Sequence, residues 1–203
     1  MKIIETRSAP NPRRVRMFLA EKGLSVPFVE QPLTPDVLHG PAFTRLNPMR
    51  RVPVLVLDDG TAIAETMAIC RYFEEVHPDP PLMGRTAIEK ATIEMWQRRV
   101  ELGLLGCVAA VFRHLHPKMA DLEVPQVAAW GEANRPKVIE HLAILEQQLA
   151  AVPYVAGETL SVADITLFVT IAFMKPAKLP PPVDFPGVSA WYVRMAARPS
   201  ASA

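Results

Sequence analysis

The chain has 203 residues, half of them hydrophobic and 21% charged, a balance that excludes a disordered tail, a collagen-like repeat and a coiled-coil rod. Lys and Arg number 22 against 21 Asp and Glu, for a formal charge of +1, so there is no general electrostatic pull toward nucleic acid or an anionic membrane. The longest apolar runs, residues 102–112 and 165–174, fall short of the roughly 18–20 residues that span a bilayer, and no transmembrane helix is expected.

In chain order, residues 2–5 carry Ile3 and Ile4 and run into a Ser8-Ala9-Pro10 turn, the pattern of a short buried strand. A helix follows, with Asn11 as its cap, Pro12 at its first position, Val15, Phe18 and Leu19 on one face and Gly23 at its end. Residues 27–31 form a second strand, and the proline-interrupted stretch 32–48 reads as a loop with one helical turn. The Val-Pro-Val-Leu-Val-Leu run of 52–57 is the clearest strand, with Pro53 at its start or edge because it cannot donate to a ladder. Asp58-Asp59-Gly60 turns it into a hairpin partner at 61–63. A helix begins near Glu65 with Ile69, Tyr72, Phe73 and Val76 as its stripe and stops at the prolines of 78–81. From Arg85 the pattern is helix after helix. One long helix runs from Thr86 toward His116, with Gly103 and Gly106 as points of bending or close approach. Another covers 125–151. Ser161 and Asp164 have the spacing of a capping box ahead of a helix buried all round to about Phe173, and an amphipathic helix over 188–197 ends the chain.

The organisation is therefore an α/β domain over 1–79 and an all-α domain over 86–203. Cys70 and Cys107 do not form a CxxC pair and read as reduced core thiols, and the opening MKIIETRSAP has no secretory apolar stretch, so a cytoplasmic location is expected. His114 and His116, at i and i+2, do not share a helix face and have no third ligand nearby, so no metal site is expected. Trp96, Phe112 and Met174 read as core residues before pocket residues, because aromatic and Met side chains at helical spacing are usually core.

Several segments together resemble the cytosolic glutathione S-transferases, bacterial type. They are Asn11-Pro12-Arg13-Arg14-Val15-Arg16 opening the first helix, Asn47-Pro48 ahead of Arg51-Val52-Pro53-Val54-Leu55, Glu65-Thr66 before the next helix, Ser161 to Asp164, and Trp191-Tyr192 with Arg198-Pro199. The resemblance covers nearly the whole chain and implies a thioredoxin-like N-terminal domain, a helical-bundle C-terminal domain and glutathione as co-substrate. It implies a cis bond between Val52 and Pro53, so that the Val52 backbone meets the tripeptide's cysteine. Glu65 and Thr66 meet the γ-glutamyl end, where a helix N-terminus with a hydroxyl binds a carboxylate and Glu65 pairs with the ammonium. His39 and Arg51 are candidates for the glycine carboxylate.

The chemistry so implied requires a thiol with an ordinary pKa of about 8.5 to ionise near neutral pH. The sequence departs from the family where the activating hydroxyl usually stands, because Ala9 occupies that position. Ser8 is adjacent, and Asn11 matches the asparagine of a disulfide-reducing bacterial subgroup, with an amide able to donate to sulfur. Taken alone, Asn11 is an ordinary helix cap and Glu65-Thr66 an ordinary helix start. The resemblance further implies a homodimer and a hydrophobic or disulfide second substrate in a detoxifying role. The alternative is a non-catalytic binding or stress-regulatory module of the same architecture.

Overall fold

A computed structural model describes all 203 residues. The chain divides into two units, Met1–Pro81 with Ser202–Ala203, and Leu82–Ala201.

The first unit is built on four strands: β1 (Lys2–Glu5), β2 (Phe28–Glu30), β3 (Val54–Val56) and β4 (Ala62–Ala64), in the order β2-β1-β3-β4. β1 pairs parallel with β2 and antiparallel with β3, which pairs antiparallel with β4. Ile3, Val54 and Leu55 are fully buried, as the apolar runs predict. The third strand is shorter than its apolar run. Pro53 has no N–H to give a ladder, and pairing starts only at Val54.

The first helix, α1 (Pro10–Glu21), starts earlier than the sequence suggests: Ala9 is its cap and makes no side-chain bond, Pro10 holds the first position, and Asn11 lies inside the first turn. The reason is that Pro10 suits that position as well as Pro12 does, since its fixed φ is already helical and its missing N–H has no partner to lose. The helix ends as Gly23 predicts. That residue has φ 66°, and the Gly23 and Leu24 N–H groups return to the Ala20 and Leu19 carbonyls at 3.1 and 2.9 Å, a Schellman closure.

The stretch expected to be a loop with one helical turn holds two short helices, α2 (Pro35–Leu38) and α3 (Pro41–Leu46), each with proline in its first turn. Proline there opens a helix instead of breaking one. Next comes α4 (Thr66–Val76), whose buried face is Thr66, Ile69, Cys70, Phe73 and Glu74. Val76, expected on that face, is exposed. Glu74 is buried because Lys22, at the end of α1, reaches it at 2.7 Å and donates also to the His77 and Pro80 carbonyls at 2.7 and 2.8 Å. That ammonium, with three oxygen partners, ties α1 to the end of α4.

The second unit is all helical. α5 (Ala87–Arg98) opens on a complete capping box, Thr86 with Glu89. It continues into a π-helical segment (Arg99–Leu105) and then α6 (Gly106–Leu115), so the long helix expected from Thr86 changes winding in its middle. Gly103 sits where a Cβ would come within 2.5 Å of the His141 ring, which accounts for a residue without a side chain there. α7 (Ala128–Ala151) begins three residues later than expected and buries Gly131, Asn134, Val138, Leu142, Leu145 and Leu149 along one side. α8 (Val162–Met174) is buried on nearly every face, as its unbroken apolar sequence predicts, and α9 (Pro186–Ala196) closes the unit with Trp191 in its core.

The centre of this second core is Asp164. Its Oδ1 accepts the Val155 N–H at 2.8 Å and the Trp191 indole N–H at 2.9 Å; its Oδ2 accepts the Ser161 N–H at 3.0 Å and hydroxyl at 2.9 Å. Full burial pushes this carboxyl up, and the four donors work against that shift. One carboxylate thus caps α8, fixes the turn before it and holds α9.

Candidate functional site

Strand register decides which loops meet. Ile4 pairs with Val29 on one side and Val54 on the other, and Val54 pairs with Ala64. These four residues form one row across the sheet, beyond which β1 and β4 leave the sheet and β3 enters it. The loop carrying Ser8 to Asn11, the Val52-Pro53 segment and the Glu65-Thr66 helix start therefore emerge at the same end. Candidate residues more than fifty positions apart in sequence become neighbours through pairing alone.

The loop after β1 is fixed by polar contacts. Thr6 donates its hydroxyl to the Gln31 carbonyl, and the Ala9 N–H returns to the Thr6 carbonyl at 2.9 Å. The Arg7 N–H donates to both Glu30 carboxylate oxygens at 3.2 and 3.1 Å, and its carbonyl accepts from Arg16 at 2.9 Å. Arg16 also forms a buried ion pair with Glu5. These contacts set where α1 begins. Within its first three residues only Asn11 has an amide N–H, because Pro10 and Pro12 have none; the helical ladder starts with Arg13 donating to the Ala9 carbonyl at 3.4 Å. The unpaired donors expected of a helix start reduce to the Asn11 backbone N–H and its side-chain amide. Asn11 is half-buried and its Oδ1 accepts from Arg14 Nη1 at 3.1 Å, whereas Ser8 is exposed.

The Val52-Pro53 bond is cis, and Val52 lies outside the sheet ladder. Its loop is braced by Asn47, which is buried: the side chain donates to the Arg51 carbonyl at 2.8 Å and accepts the Met49 N–H at 3.0 Å. The Asn47-Pro48 pair carries no chemistry by itself in sequence, and its bracing role depends on the fold of this loop. Glu65 has φ 70° and ψ 122°, a conformation that costs a non-glycine residue about 1–3 kcal/mol and is concentrated at ligand sites. Its side chain is exposed while Thr66 beside it is buried. Because Ile69 is the first residue to donate back to the Glu65 carbonyl, at 3.0 Å, the N–H groups of Thr66, Met67 and Ala68 are left open at the head of α4.

The other sequence candidates divide. Arg51 is exposed and donates to the Arg50 carbonyl at 3.3 Å, next to Val52 and so at the same sheet end. His39 is exposed at the end of α2, and none of its contacts ties it to the row. Cys70 and Cys107 are buried and form no disulfide, and burial pushes the Cys107 thiol up, away from a reactive thiolate. His114 accepts the Val127 N–H at the start of α7 at 3.1 Å, and His116 accepts the Lys118 N–H at 3.2 Å and so caps the turn that follows α6. No group of three or more His, Cys, Asp and Glu side chains is placed to hold a metal, and no helix is long and apolar enough to cross a membrane. Trp96 and Met174 are core, and Phe112 is half-buried against Phe173 at 4.9 Å between ring centres.

A thioredoxin-like βαβ–ββα unit followed by a helical bundle defines a glutathione-transferase architecture. Comparison with known proteins agrees: residues 9–76 match the glutathione S-transferase N-terminal domain and residues 128–194 the C-terminal domain of that family. Glutathione S-transferase 2 of Saccharomyces cerevisiae is 40% identical over 203 residues, 98% of this chain and 87% of its own length. A glutathione S-transferase domain-containing protein of Marinobacter aquaeolei superposes with a TM-score of 0.95 at 39% identity, over 98% of this chain and 99% of its own. A glutathione S-transferase of Methylobacterium radiotolerans in complex with glutathione sulfonate superposes with a TM-score of 0.80 at 26% identity, over 99% and 92%. The chain belongs to the glutathione S-transferase family.

Proposed function

We propose that the chain is a glutathione transferase that binds the tripeptide across the row at the end of its first sheet and activates its thiol for attack on a hydrophobic electrophile or a disulfide. The observation that carries this reading is the register that brings Asn11, Val52 and Glu65-Thr66 to one sheet end. In it, residues 1–79 hold glutathione and residues 86–203 supply the second substrate's surface. Val52 offers its unpaired backbone to the cysteine residue. The open N–H groups at the head of α4 and the Thr66 hydroxyl take the glutamyl carboxylate, with Glu65 on the ammonium. Arg51 addresses the glycine carboxylate, and His39 has the weaker claim to that role. Asn11, with its backbone N–H and amide, stabilises the thiolate, and Ser8 is the lesser donor.

The proposal includes a homodimer in a cytoplasmic, detoxifying setting. Ile88, Met95 and Leu102 are 74%, 41% and 68% exposed at seven-residue spacing along the long helix. Leu102 also lines a groove of about 730 Å³ together with Trp96, Arg99 and Ile144. Exposed apolar side chains in a series of this kind mark an interaction surface.

Ala9, which caps α1 without a side-chain bond, supports a second reading, a glutathione-binding module without turnover. Retention on a glutathione column followed by steady-state assays with an aryl halide and with a small disulfide separates the two. Retention with turnover of either substrate is expected; retention without turnover favours the second reading, and no retention overturns both.

A further inference from the structure

We infer that Arg14 is a positioning residue for thiol activation: it fixes the orientation of the Asn11 side-chain amide so that the amide's N–H groups, and not its oxygen, are presented to sulfur. The inference rests on the assignment of Asn11 to the thiolate. A free asparagine amide is ambiguous, since its oxygen and nitrogen occupy nearly equivalent positions and rotation about the last bond exchanges them. Only one of the two orientations helps a thiolate, because Oδ1 brings a lone pair toward the negative sulfur and Nδ2 brings a proton.

Arg14 removes the ambiguity by chemistry alone. A guanidinium has five N–H donors, no acceptor, and stays protonated at any physiological pH. The atom of Asn11 that lies 3.1 Å from Arg14 Nη1 must therefore be the oxygen, and Nδ2 is turned to the other side. Arg14 is three residues on from Asn11 along α1, the spacing that places two side chains on one helix face. It is only 2% exposed, so its own position is set by the packing around it, and flipping the amide would put two N–H donors against a buried cation. The sequence departs from its family by placing Ala9 where a hydroxyl usually donates. A hydroxyl turns its proton toward whatever accepts it, but an amide must be aimed, and the buried arginine does the aiming.

The test is the pKa of the bound glutathione thiol, read from thiolate absorbance in Arg14→Lys, Arg14→Met, Asn11→Ala and the paired variants. If Asn11 donates to sulfur, Asn11→Ala raises that pKa by about one to two units. Folded Arg14→Met is then expected to raise it by about 0.3 unit, the effect of leaving the amide evenly divided between two orientations, and by no more than Asn11→Ala does, whereas Arg14→Lys, whose ammonium likewise only donates, is expected to raise it less. In the Asn11→Ala background the Arg14 substitutions are expected to add nothing. A shift of equal size in both backgrounds overturns the inference, because Arg14 then acts by its charge; so does an unshifted pKa in folded Arg14→Met when Asn11→Ala is shifted. An unshifted pKa in Asn11→Ala instead overturns the underlying assignment of Asn11. A readout that needs no arginine variant is spin relaxation of the Asn11 side-chain amide in the unliganded wild-type protein: a rigid amide is expected, and nanosecond reorientation overturns the inference.

Discussion

Replacing Asp164 by Asn tests how much of the helical unit's stability passes through one side chain. The wild-type carboxylate uses two oxygens to accept four hydrogen bonds, from Val155, Trp191 and twice from Ser161. The carboxamide keeps one oxygen. Its least costly placement leaves that oxygen with Val155 and Trp191, and lets the rotatable Ser161 hydroxyl accept from the new NH2. The Ser161 backbone N–H then faces a donor, and a buried donor left unsatisfied costs about 1–3 kcal/mol. The bonds that survive lose the help of a charged acceptor, about 0.5–1 kcal/mol each. Relief from burying a charge offsets part of this, so the net cost is about 3 kcal/mol, or a melting midpoint lower by roughly 6–12 °C for a chain of this size. Asp164→Ala, which strands all four donors, is expected to cost more, and Ser161→Ala, which removes a single hydroxyl, about 1 kcal/mol. Thermal and urea unfolding of the three variants measure the order. A midpoint for Asp164→Asn within 1 °C of wild type, or a larger loss in Ser161→Ala, contradicts a load carried by the Asp164 carboxylate.

Three other outcomes are expected. Glu65→Ala and Thr66→Ala each weaken glutathione binding, by about tenfold for a lost charge-assisted hydrogen bond, with unfolding midpoints little changed; titration calorimetry checks this, and unchanged affinity removes that residue from the site. The Arg85 and Thr86 backbone N–H groups hold the Glu89 carboxyl below its usual range, so its contribution is complete above the ordinary Glu value of about 4.3 and is lost as pH falls through the depressed folded value. Glu89→Gln is therefore expected to melt below wild type at pH 7 and to coincide with it once the carboxyl is protonated in acid. Sedimentation at micromolar concentration is expected to give a dimer, and Leu102→Glu a monomer; a monomeric wild-type mass refutes the proposed interface.

Much of this architecture is legible in the sequence wherever a local rule is enough. The Ser161–Asp164 cap, the buried α8, the Gly23 closure and the place of Pro53 just ahead of its strand each follow from a few adjacent residues. Boundaries fail where two residues satisfy the same rule, as Pro10 and Pro12 do at the start of α1 and as the prolines heading α2 and α3 do inside an apparent loop. What sequence does not carry is pairing at a distance. Arg14, Arg16 and Lys22 are three cations on one helix with nothing local to mark them as buried, and their roles depend on Asn11, Glu5 and Glu74 being brought to them. Asn47 is likewise visible as a motif, but its brace on the Arg51 carbonyl needs the folded loop. The candidate residues are thus readable in sequence, while the groups that hold them in place are not.

We propose that glutathione binds at this sheet end with Asn11 lowering the pKa of its thiol. This is tested most directly by titrating thiolate absorbance of the glutathione complex of wild type against Asn11→Ala and Ser8→Ala. A wild-type thiol pKa below the ordinary value of about 8.5, a rise of about one to two units in Asn11→Ala and a smaller change in Ser8→Ala are expected. A wild-type thiol that titrates at its ordinary value, or an unchanged pKa in Asn11→Ala beside a raised one in Ser8→Ala, contradicts it.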